Sequence, residues 1–415
     1  MPDTSASTND SAAPILAPGM SVARAILKPR KSRPFFGRHP WVLESAVDRI
    51  EGTAADGDVV DLISDKGKFV ARGIVNSRSR LRIRLYAWNP GQLLDEAFFR
   101  ERIASAVRLR KSLGYGDVEG AARLIFSEAD GLSGLIVDRY GEHLVAQTNS
   151  LAMQVRLPML SRLLAEETGA KSISLRNEAG VPKLEGIESQ QGTVWGEAPR
   201  TAVFIREHGL RYGVELATGQ KTGFYLDQRE NRRAAAGYAA GKRVLDLFCY
   251  SGGFSLAAAS LGQAREVLGL DSSEKAVALA RGNAALNELS NVRFLAADCF
   301  QALDELRAAR EKYGVILLDP PKFTRNRQSV DDALRAYHRI NRLAVEMLEP
   351  EGILVTSSCS GNVSREDFLF MLSGVSQQTG RDIQVLEQRG ASPDHPVSAT
   401  CLESEYLKCF ICRVR

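Results

Sequence analysis

The sequence predicts an α/β protein whose C-terminal half is a doubly wound, Rossmann-like sheet. From about Lys242 onward, apolar runs of strand length alternate with segments of helical spacing, which is the pattern of parallel strands joined by helices. Before this point, short period-two runs separated by Gly, Asp and Asn predict smaller β-rich layers. At 415 residues the chain is long enough for two or three domains.

The chain opens with a predicted tail, residues 1–22, which has neither the basic start nor the apolar block of a secretory signal. Residues 23–92 then predict a small β-rich domain with three alternating strands: Val59–Ile63, Phe69–Val75 and Leu81–Tyr86. A helix is predicted from Asp95 to Leu113, because an acidic first turn opens it and Gly114 follows it.

Basic residues are concentrated in this N-terminal part. Residues 24–84 hold 14 Lys and Arg against 7 Asp and Glu, although the whole chain has a net charge of only +4. Arg80, Arg82 and Arg84 share one face of the last predicted strand. A local positive field favours binding to a phosphate backbone. The alternative is the solvated surface of an ordinary β domain.

Residues 93–200 are predicted to form a middle β-β-α-β-β layer. A hairpin turns at Tyr140-Gly141, residues 151–167 have helical spacing, and Ser172–Arg176 and Thr201–Arg206 resemble further strands. No chemistry-bearing cluster occurs in this layer, so its predicted role is spacing or substrate support. The remaining residues, 201–415, are assigned to the doubly wound domain.

The cysteines predict a reducing compartment, and hence a cytoplasmic protein. All six lie in the last 167 residues, within predicted strands and loops, whereas a disulfide framework would be typical of a small secreted chain. Cys409 and Cys412 lie in a predicted strand without partner ligands, so two packed thiols are favoured over a metal site. No apolar stretch approaches the roughly 18–20 residues of a membrane helix.

The first strand of the doubly wound sheet ends in a turn suited to a cofactor without phosphates. Asp246 heads the turn, and Gly252-Gly253 precede a helix, so the backbone can approach a ligand. The glycine spacing of a dinucleotide site is missing, and S-adenosylmethionine is the predicted cofactor. Asp271 and Asp298 follow the next two strands, where they are predicted to accept from ribose and adenine. The alternative is that each carboxylate caps the helix after it.

The fourth strand ends at Asp319-Pro320-Pro321-Lys322-Phe323. In enzymes that methylate base amines, an Asp/Asn-Pro-Pro sequence is followed directly by an aromatic residue that stacks on the base. Here Lys322 occupies that position and Phe323 is displaced by one, which weakens the prediction of amine methylation. Asp319 remains a candidate for holding or protonating N3 of a pyrimidine.

The next strand ends at Cys359 within Ser-Ser-Cys-Ser-Gly. A thiolate that adds to C6 of cytosine makes C5 nucleophilic enough to accept a methyl group. The alternative is a small buried hydrophobe, which is common for cysteine, but the polar setting favours the nucleophile.

At these residues the chain resembles the large-subunit ribosomal RNA methyltransferase I family, 5-methylcytosine enzymes with an N-terminal PUA domain. The resemblance runs from about residue 24 to the end, through six ordered segments: Gly37–Trp41, Asp130–Asp138, Gly219–Arg229, Asp319–Phe323, Ser358–Gly361 and Asp394–Pro396. It implies a PUA-like RNA-binding domain, a middle β-rich domain and an S-adenosylmethionine-dependent methyltransferase domain that modifies large-subunit (23S) ribosomal RNA.

Carried over by position, the resemblance makes Cys359 the nucleophile, and Asp319 is the second predicted catalytic residue. The residues predicted to bind the cofactor, from the strand ends and the resemblance together, are Tyr225, Asp227, Gln228, Asp246, Phe248, Tyr250, Gly252, Asp271, Ser272, Asp298, Cys299 and Asp319. Those predicted to contact RNA are Arg80, Arg82, Arg84, Lys322 and His395. For His395, packing within its loop is an equal alternative.

The acceptor of the C5 proton and two competing functions stay open at this stage. Many related RNA enzymes carry a second cysteine after the prolines, which this chain lacks, so the acceptor of the C5 proton is unassigned. A base-amine methyltransferase acting on guanine N2 or adenine N6, and a nucleotide-binding or oxidoreductase protein, are the competing functions. No membrane contact and no metal are expected, and the sequence leaves a homodimer open.

Overall fold

The computed structural model describes residues 22–177, 181–188, 190–216, 223–323 and 329–415. Of the predicted tail, only Val22 is among the described residues. The chain divides into two compact units. Unit 1 contains the described residues up to 118, together with 122–200 and 398–401, and unit 2 contains 119–121, 201–397 and 402–415.

Unit 1 begins with a mainly antiparallel sheet in the order β2-β6-β5-β4-β1-β3. Its elements are β1 (Ala23–Leu27), α1 (Arg33–Phe36), β2 (Trp41–Leu43), β3 (Val47–Glu51), β4 (Val59–Ile63), β5 (Phe69–Val75) and β6 (Leu81–Ala87). The three predicted strands are therefore confirmed, with β6 one residue longer. Their alternation places Leu62 and Ile83 in a fully buried core.

The second sheet of unit 1 has the order β11-β10-β9-β8-β7, with helices packed against it. Its elements are α2 (Glu96–Ser112), β7 (Ala121–Phe126), β8 (Leu135–Tyr140), β9 (His143–Thr148), α3 (Leu151–Gln154), α4 (Leu157–Thr168), β10 (Ser172–Arg176), α5 (Val181–Glu185) and β11 (Gln191–Gly196). The hairpin β8–β9 and the strand β10 are confirmed. Asp95 caps α2 by accepting from the Phe98 N–H at 3.0 Å.

The predicted middle layer is wrong about one strand, and it lacks two strands that the structure contains. Thr201–Arg206 does not join this sheet, because the strand there pairs with its own neighbour in unit 2. Instead, β7 and β11 complete the layer as its two edge strands. The sequence does not indicate either edge strand, because β7 does not alternate between apolar and polar residues, while β11 is mostly polar, carries two glycines and is largely exposed.

Unit 2 contains a separate hairpin and a doubly wound sheet. Its elements are β12 (Val203–Glu207), β13 (Leu210–Val214), α6 (Arg229–Ala236), β14 (Arg243–Leu247), α7 (Gly253–Ser260), β15 (Glu266–Asp271), α8 (Glu274–Leu286), β16 (Val292–Ala296), α9 (Cys299–Ala308), β17 (Tyr313–Leu318), α10 (Val330–Met347), β18 (Leu348–Ser358), α11 (Arg365–Thr379), β19 (Ile383–Arg389) and β20 (Lys408–Val414). The predicted alternation of strands and helices is confirmed throughout this part.

The sheet of unit 2 has the order β16-β15-β14-β17-β18-β20-β19, in which β14 to β18 are mutually parallel and β20 is antiparallel. The strand order reverses between β14 and β17, and ligands of open α/β sheets bind at such a reversal. Leu247 lies opposite both Leu270 and Leu318. The residues that follow these three therefore emerge side by side at one edge of the sheet. Among the described residues, no helix has the length and apolarity needed to cross a membrane.

Candidate active site

The turn after β14 has an unusual backbone. Phe248 and Tyr250 have positive φ angles of 64° and 48°, and Gly252 has one of 84°. A Cβ on Gly252 would lie 2.8 Å from Leu256 Cδ1 and 2.9 Å from Phe294 Cζ, so this position requires glycine. Left-handed non-glycine residues are costly and tend to occur at functional sites. Phe248 and Tyr250 are half-buried at the edge of the sheet.

Asp246 lies beneath this turn and is buried. Its Oδ2 accepts a hydrogen bond from the Ser255 hydroxyl at 2.6 Å, which ties the strand to α7. Burial raises the pKa of Asp246 to about 7, and the nearby Asp319 carboxylate adds to this effect while the Ser255 hydrogen bond opposes it. In the structure Asp246 braces the turn through Ser255, and its contact with a cofactor stays a prediction.

We expect Asp246→Asn to change how stability depends on pH. Because the pKa is raised in the folded state, Asp246 contributes stability at low pH that is lost as the pH rises toward 7. Asparagine can still accept from Ser255 but never becomes charged. When the pH is raised from 5 to 8, the free energy of unfolding of the variant should therefore increase by about 1–3 kcal/mol relative to that of the unsubstituted chain. Chemical denaturation of both proteins at the two pH values measures this, and equal pH dependences would contradict it.

Asp271, at the end of β15, connects the turn to the neighbouring strand. Its two carboxylate oxygens accept from the Tyr250 N–H at 3.0 Å and the Ser273 N–H at 2.9 Å. Asp271 therefore does not cap α8, since the Ser273 side chain performs that role. Ser272, between the two, is exposed. Asp271 is half-buried and lies next to Phe248 at the edge of the sheet, because the residues before them, Leu270 and Leu247, are paired.

At the end of β16, the capping alternative is the one that the structure supports. Asp298 Oδ1 accepts from the Phe300 and Gln301 N–H groups, both at 2.9 Å, and so caps α9. Cys299 is buried with its Sγ 3.7 Å from the Leu270 carbonyl oxygen, and burial raises its pKa to about 12. Its thiol therefore belongs to the core rather than to a cofactor surface.

Asp319 follows β17 and is oriented by a chain of side chains. Gln228 Nε2 donates to Asp319 Oδ1 at 2.9 Å, Asn231 Nδ2 donates to Gln228 Oε1 at 2.6 Å, and Arg389 Nε donates to Asn231 Oδ1 at 2.9 Å. Gln228 was predicted to touch the cofactor, but it is buried and holds Asp319 instead. Asn231 could not be inferred from the sequence, because it acts through another side chain.

The segment before α6 meets the turn through aromatic rings. Tyr225 packs edge to face on Tyr250 with 5.2 Å between ring centroids, and the Tyr250 hydroxyl donates to the Gly223 carbonyl at 3.2 Å. Burial raises the pKa of Tyr225, and the charges of Asp319 and Cys359 add to this effect. Tyr225 therefore lies within electrostatic range of both predicted catalytic groups. The predicted motif Gly219–Arg229 is described only from Gly223 onward.

Asp227 is hydrogen-bonded to the segment that precedes β20. Its Oδ2 accepts from the Tyr406 hydroxyl at 2.5 Å, and its backbone carbonyl accepts from the Ser392 N–H at 2.8 Å. Asp227 is buried, so its visible role is to tie this segment to the chain that precedes β20.

Cys359 follows directly after β18. It is half-buried, whereas the other five cysteines are buried, and all six are free thiols. The next residue, Ser360, has its Oγ 3.4 Å from the Tyr337 hydroxyl of α10. The sequence did not indicate Lys408, whose Nζ donates to the Ser360 carbonyl oxygen at 2.6 Å. The sequence signal is a charged residue directly before four apolar residues of the last strand.

Both parts of this chain have relatives of known family. A PUA-like domain family matches residues 25–88, and a family of S-adenosylmethionine-dependent methyltransferases matches residues 188–402. Proteins named ribosomal RNA large subunit methyltransferase I from Citrobacter koseri and Escherichia coli K12 are 39% and 40% identical over 397 residues, covering 95% of this chain and 100% of theirs. This chain belongs to that family. It is an S-adenosylmethionine-dependent methyltransferase with a PUA-like domain, as the motifs predicted.

Solved structures share the fold of this family member. The crystal structure of SMU.776, assigned as a methyltransferase and complexed with SAH, has a TM-score of 0.81 at 22% identity and covers 94% of this chain and 99% of that one. A related S-adenosylmethionine-dependent protein from Streptococcus mutans has a TM-score of 0.79 at 21% identity, with the same coverage. The predicted fold class, a doubly wound methyltransferase domain preceded by β-rich layers, is confirmed.

The predicted arginine stripe requires a correction. Arg80 is 93% exposed, but the Arg84 side chain is only 12% exposed and pairs with Glu128, just after β7, and with Glu185, at the end of α5, at 3.4 and 3.1 Å. Arg82 pairs with Glu44 at 3.1 Å. Alternation correctly placed the three arginines on one face, but it could not indicate that acidic side chains cover part of that face. Arg84 therefore has a structural role in this family member.

His395 and Lys322 differ in their accessibility. His395 is buried, with its Nδ1 2.9 Å from Asp394 Oδ1, and Asp394 also lies 3.8 Å from Arg229 Nη1. The packing alternative is therefore favoured for His395. Lys322 is exposed beside the Asp319 loop. Phe323, in contrast, packs its ring on Tyr337 at 4.8 Å.

Proposed function

We propose that this enzyme forms 5-methylcytosine in large-subunit ribosomal RNA through a covalent adduct between Cys359 and C6 of the base. The observation that carries the proposal is Cys359 itself: a half-buried thiol directly after β18, at the sheet edge where Asp319 follows β17, in a chain whose other cysteines are buried. The relatives named as large-subunit ribosomal RNA methyltransferases support the substrate.

The cofactor surface in this proposal lies at the reversal of strand order. Phe248, Tyr250 and Gly252 would line it with their left-handed backbone, Asp271 would present its carboxylate, and Tyr225 would close it from the other side. A glycine turn leading into α7 lets the cofactor approach the backbone closely. When bound, S-adenosylmethionine supplies an electrophilic methyl group and departs as S-adenosylhomocysteine.

The chain's residues act on the cytosine in this mechanism. The Cys359 thiolate adds to C6, and the electron pair of the C5–C6 double bond moves toward C5, which becomes nucleophilic. The negative charge released by the addition spreads toward N3, and the Asp319 carboxyl group, which accepts from Gln228, would hold N3 and give it a proton as that charge develops. After methylation, C5 loses its proton to a base, the double bond reforms, and the thiolate leaves C6.

The packing of Phe323 argues against amine methylation. An enzyme of that class needs an aromatic ring after its two prolines to stack on the target base. In this chain Lys322 takes that position and is exposed, while the Phe323 ring packs among Phe300 and Tyr337. The Asp319-Pro-Pro loop therefore lacks a stacking partner among the described residues that follow it.

We assign RNA contact to the exposed cations Arg80 and Lys322, with the enzyme working in the cytoplasm. Guanidinium and ammonium groups bind phosphates through charge, so the affinity should fall as salt rises. The six free thiols are consistent with a reducing compartment.

Trapping with 5-fluorocytosine tests the proposed chemistry. A transcript of large-subunit ribosomal RNA carrying this base cannot lose a proton from C5, so the adduct should persist. We expect a complex of protein and RNA that survives denaturation and requires S-adenosylmethionine, with the cross-link mapping to Cys359 by mass spectrometry. Unsubstituted transcript serves as the control and should yield 5-methylcytosine. Methylated guanine or adenine without any adduct would overturn the proposal.

A further inference from the structure

A buried lysine lies next to the nucleophile proposed above. Lys408 is 3% exposed and is the first residue of β20, which runs between β18 and β19. Burying an ammonium group is costly unless it is paired or hydrogen-bonded. Its Nζ donates to the carbonyl oxygens of Ser360 at 2.6 Å and Tyr406 at 2.9 Å. Packing alone does not require a charge here, since the four residues that follow Lys408 in β20 are apolar and buried.

The contacts of Lys408 flank Cys359 on both sides. Ser358, which precedes the cysteine, is the antiparallel partner of Lys408, and Ser360, which follows it, gives its carbonyl to the ammonium group. The turn that carries the thiol is thereby fixed to β20. An ammonium group has three donors, and the two carbonyls account for two of them.

We infer that Lys408 positions Cys359 and stabilises its thiolate form. This inference rests on the proposed role of Cys359 as the nucleophile. The thiol loses its proton to solvent, the electron pair stays on sulfur, and Lys408 keeps its own protons. A nearby cation favours the charged form of a thiol, and the thiolate is the reactive species. Lys408 is thus a positioning residue that acts through Cys359.

The charges around Lys408 agree with this role. Burial lowers its pKa to about 8, while the Cys359 thiolate and Glu405 oppose that shift and Arg365 and Lys322 add to it. The ammonium form therefore still predominates at neutral pH. The attraction is mutual, so a lysine stabilised by the thiolate stabilises the thiolate in return.

Alkylation of the intact protein tests the inference without RNA or methyl transfer. Cys359 is the one cysteine of six that is not buried, so slow modification by iodoacetamide should report on it, with Cys359→Ser giving the background. The pH midpoint of alkylation, the pH at which the rate reaches half its maximum, should lie below about 8.5, the usual pKa of a free cysteine. Lys408→Met should raise it by at least about one unit, a roughly tenfold slower reaction at pH 7. A midpoint unchanged in this variant would overturn the inference.

Two further variants separate charge from position. Lys408→Arg keeps the positive charge, so the pH midpoint of alkylation should stay within about half a unit of that of the unsubstituted protein. Lys408→Gln keeps a hydrogen-bond donor but loses the charge, so it should raise the midpoint as much as Lys408→Met does. Calorimetry with S-adenosylmethionine checks that each variant is folded. If no neutral variant folds, the inference is tested by the pH midpoint of Cys359 alkylation in the unsubstituted protein. A midpoint of about 8.5 or above would contradict a stabilised thiolate. Failure of the adduct experiment alone would instead contradict the proposed function.

Discussion

Replacing Cys359 with alanine is expected to abolish methyl transfer while leaving the binding of S-adenosylmethionine intact. Without addition at C6, cytosine C5 is too weak a nucleophile, so the rate should fall by at least about 10³-fold. The cofactor residues lie on other strands, so the dissociation constant should change by no more than about twofold. Transfer of a labelled methyl group to RNA and calorimetry with the cofactor measure the two quantities.

A matched control is available in the same domain. Cys412 is also a free thiol of unit 2, but it is buried and pairs with Leu354 in the middle of β18, away from the strand ends. Cys412→Ala should retain kcat within about twofold, although it leaves a small cavity that costs some stability. If Cys359→Ala also retained its rate within about tenfold, the thiolate mechanism would be untenable. The Asp319 loop would then become the candidate centre for methylation of an amine.

The strand ends of unit 2 could be predicted from sequence because their signal is local. Buried parallel strands read as apolar runs, so the first polar residue after each run marks the edge of the sheet. The pairing of Leu318 with Thr356 brings Asp319 and Cys359 to that edge, as expected. Asp298 shows the limit of this reasoning, because a carboxylate at a strand end equally suits the cap of the next helix.

The parts that the sequence did not reveal depend on contacts between distant segments. Arg84 was placed on the correct face of its strand, but its partners Glu128 and Glu185 lie 44 and 101 residues further along the chain. Lys408 was overlooked for a related reason, since its partners are backbone carbonyls, which leave no trace in the sequence. Periodicity predicts which way a side chain points, whereas only the tertiary structure shows what it meets.

Glu207→Gln is expected to destabilise unit 2 more than any surface substitution. Glu207 is buried, and its carboxylate accepts from Arg232 Nε and Nη2, both at 2.7 Å, and from Arg229 Nε at 3.3 Å. Desolvation alone would raise its pKa, but Arg232 and then Arg229 outweigh this and hold the pKa below its usual range. Removing the charge takes the paired carboxylate from the buried guanidinium of Arg232 and weakens the pairing of Arg229, which also lies 3.8 Å from Asp394. Breaking a buried ion pair in this way typically costs about 3–5 kcal/mol.

The exposed pair between Arg206 and Glu119 provides the comparison for this measurement. Glu119 is 65% exposed and lies 3.4 Å from Arg206, so Glu119→Gln should change the free energy of unfolding by less than about 1 kcal/mol. Chemical denaturation at pH 7 measures both variants. Because the pKa of Glu207 is lowered in the folded state, its contribution should be lost as the pH falls below about 4.3, and the difference from the unsubstituted chain should shrink there.

The same substitution should also weaken cofactor binding, since Arg232 Nη1 donates to the Tyr225 carbonyl at 2.9 Å. Tyr225 packs on Tyr250 at the cofactor turn, so a guanidinium released from Glu207 no longer fixes the segment that closes the site. We expect the dissociation constant for S-adenosylmethionine to rise about tenfold in Glu207→Gln and to stay unchanged in Glu119→Gln. A destabilised variant with full cofactor affinity would restrict the buried pair to a role in folding and contradict its link to Tyr225.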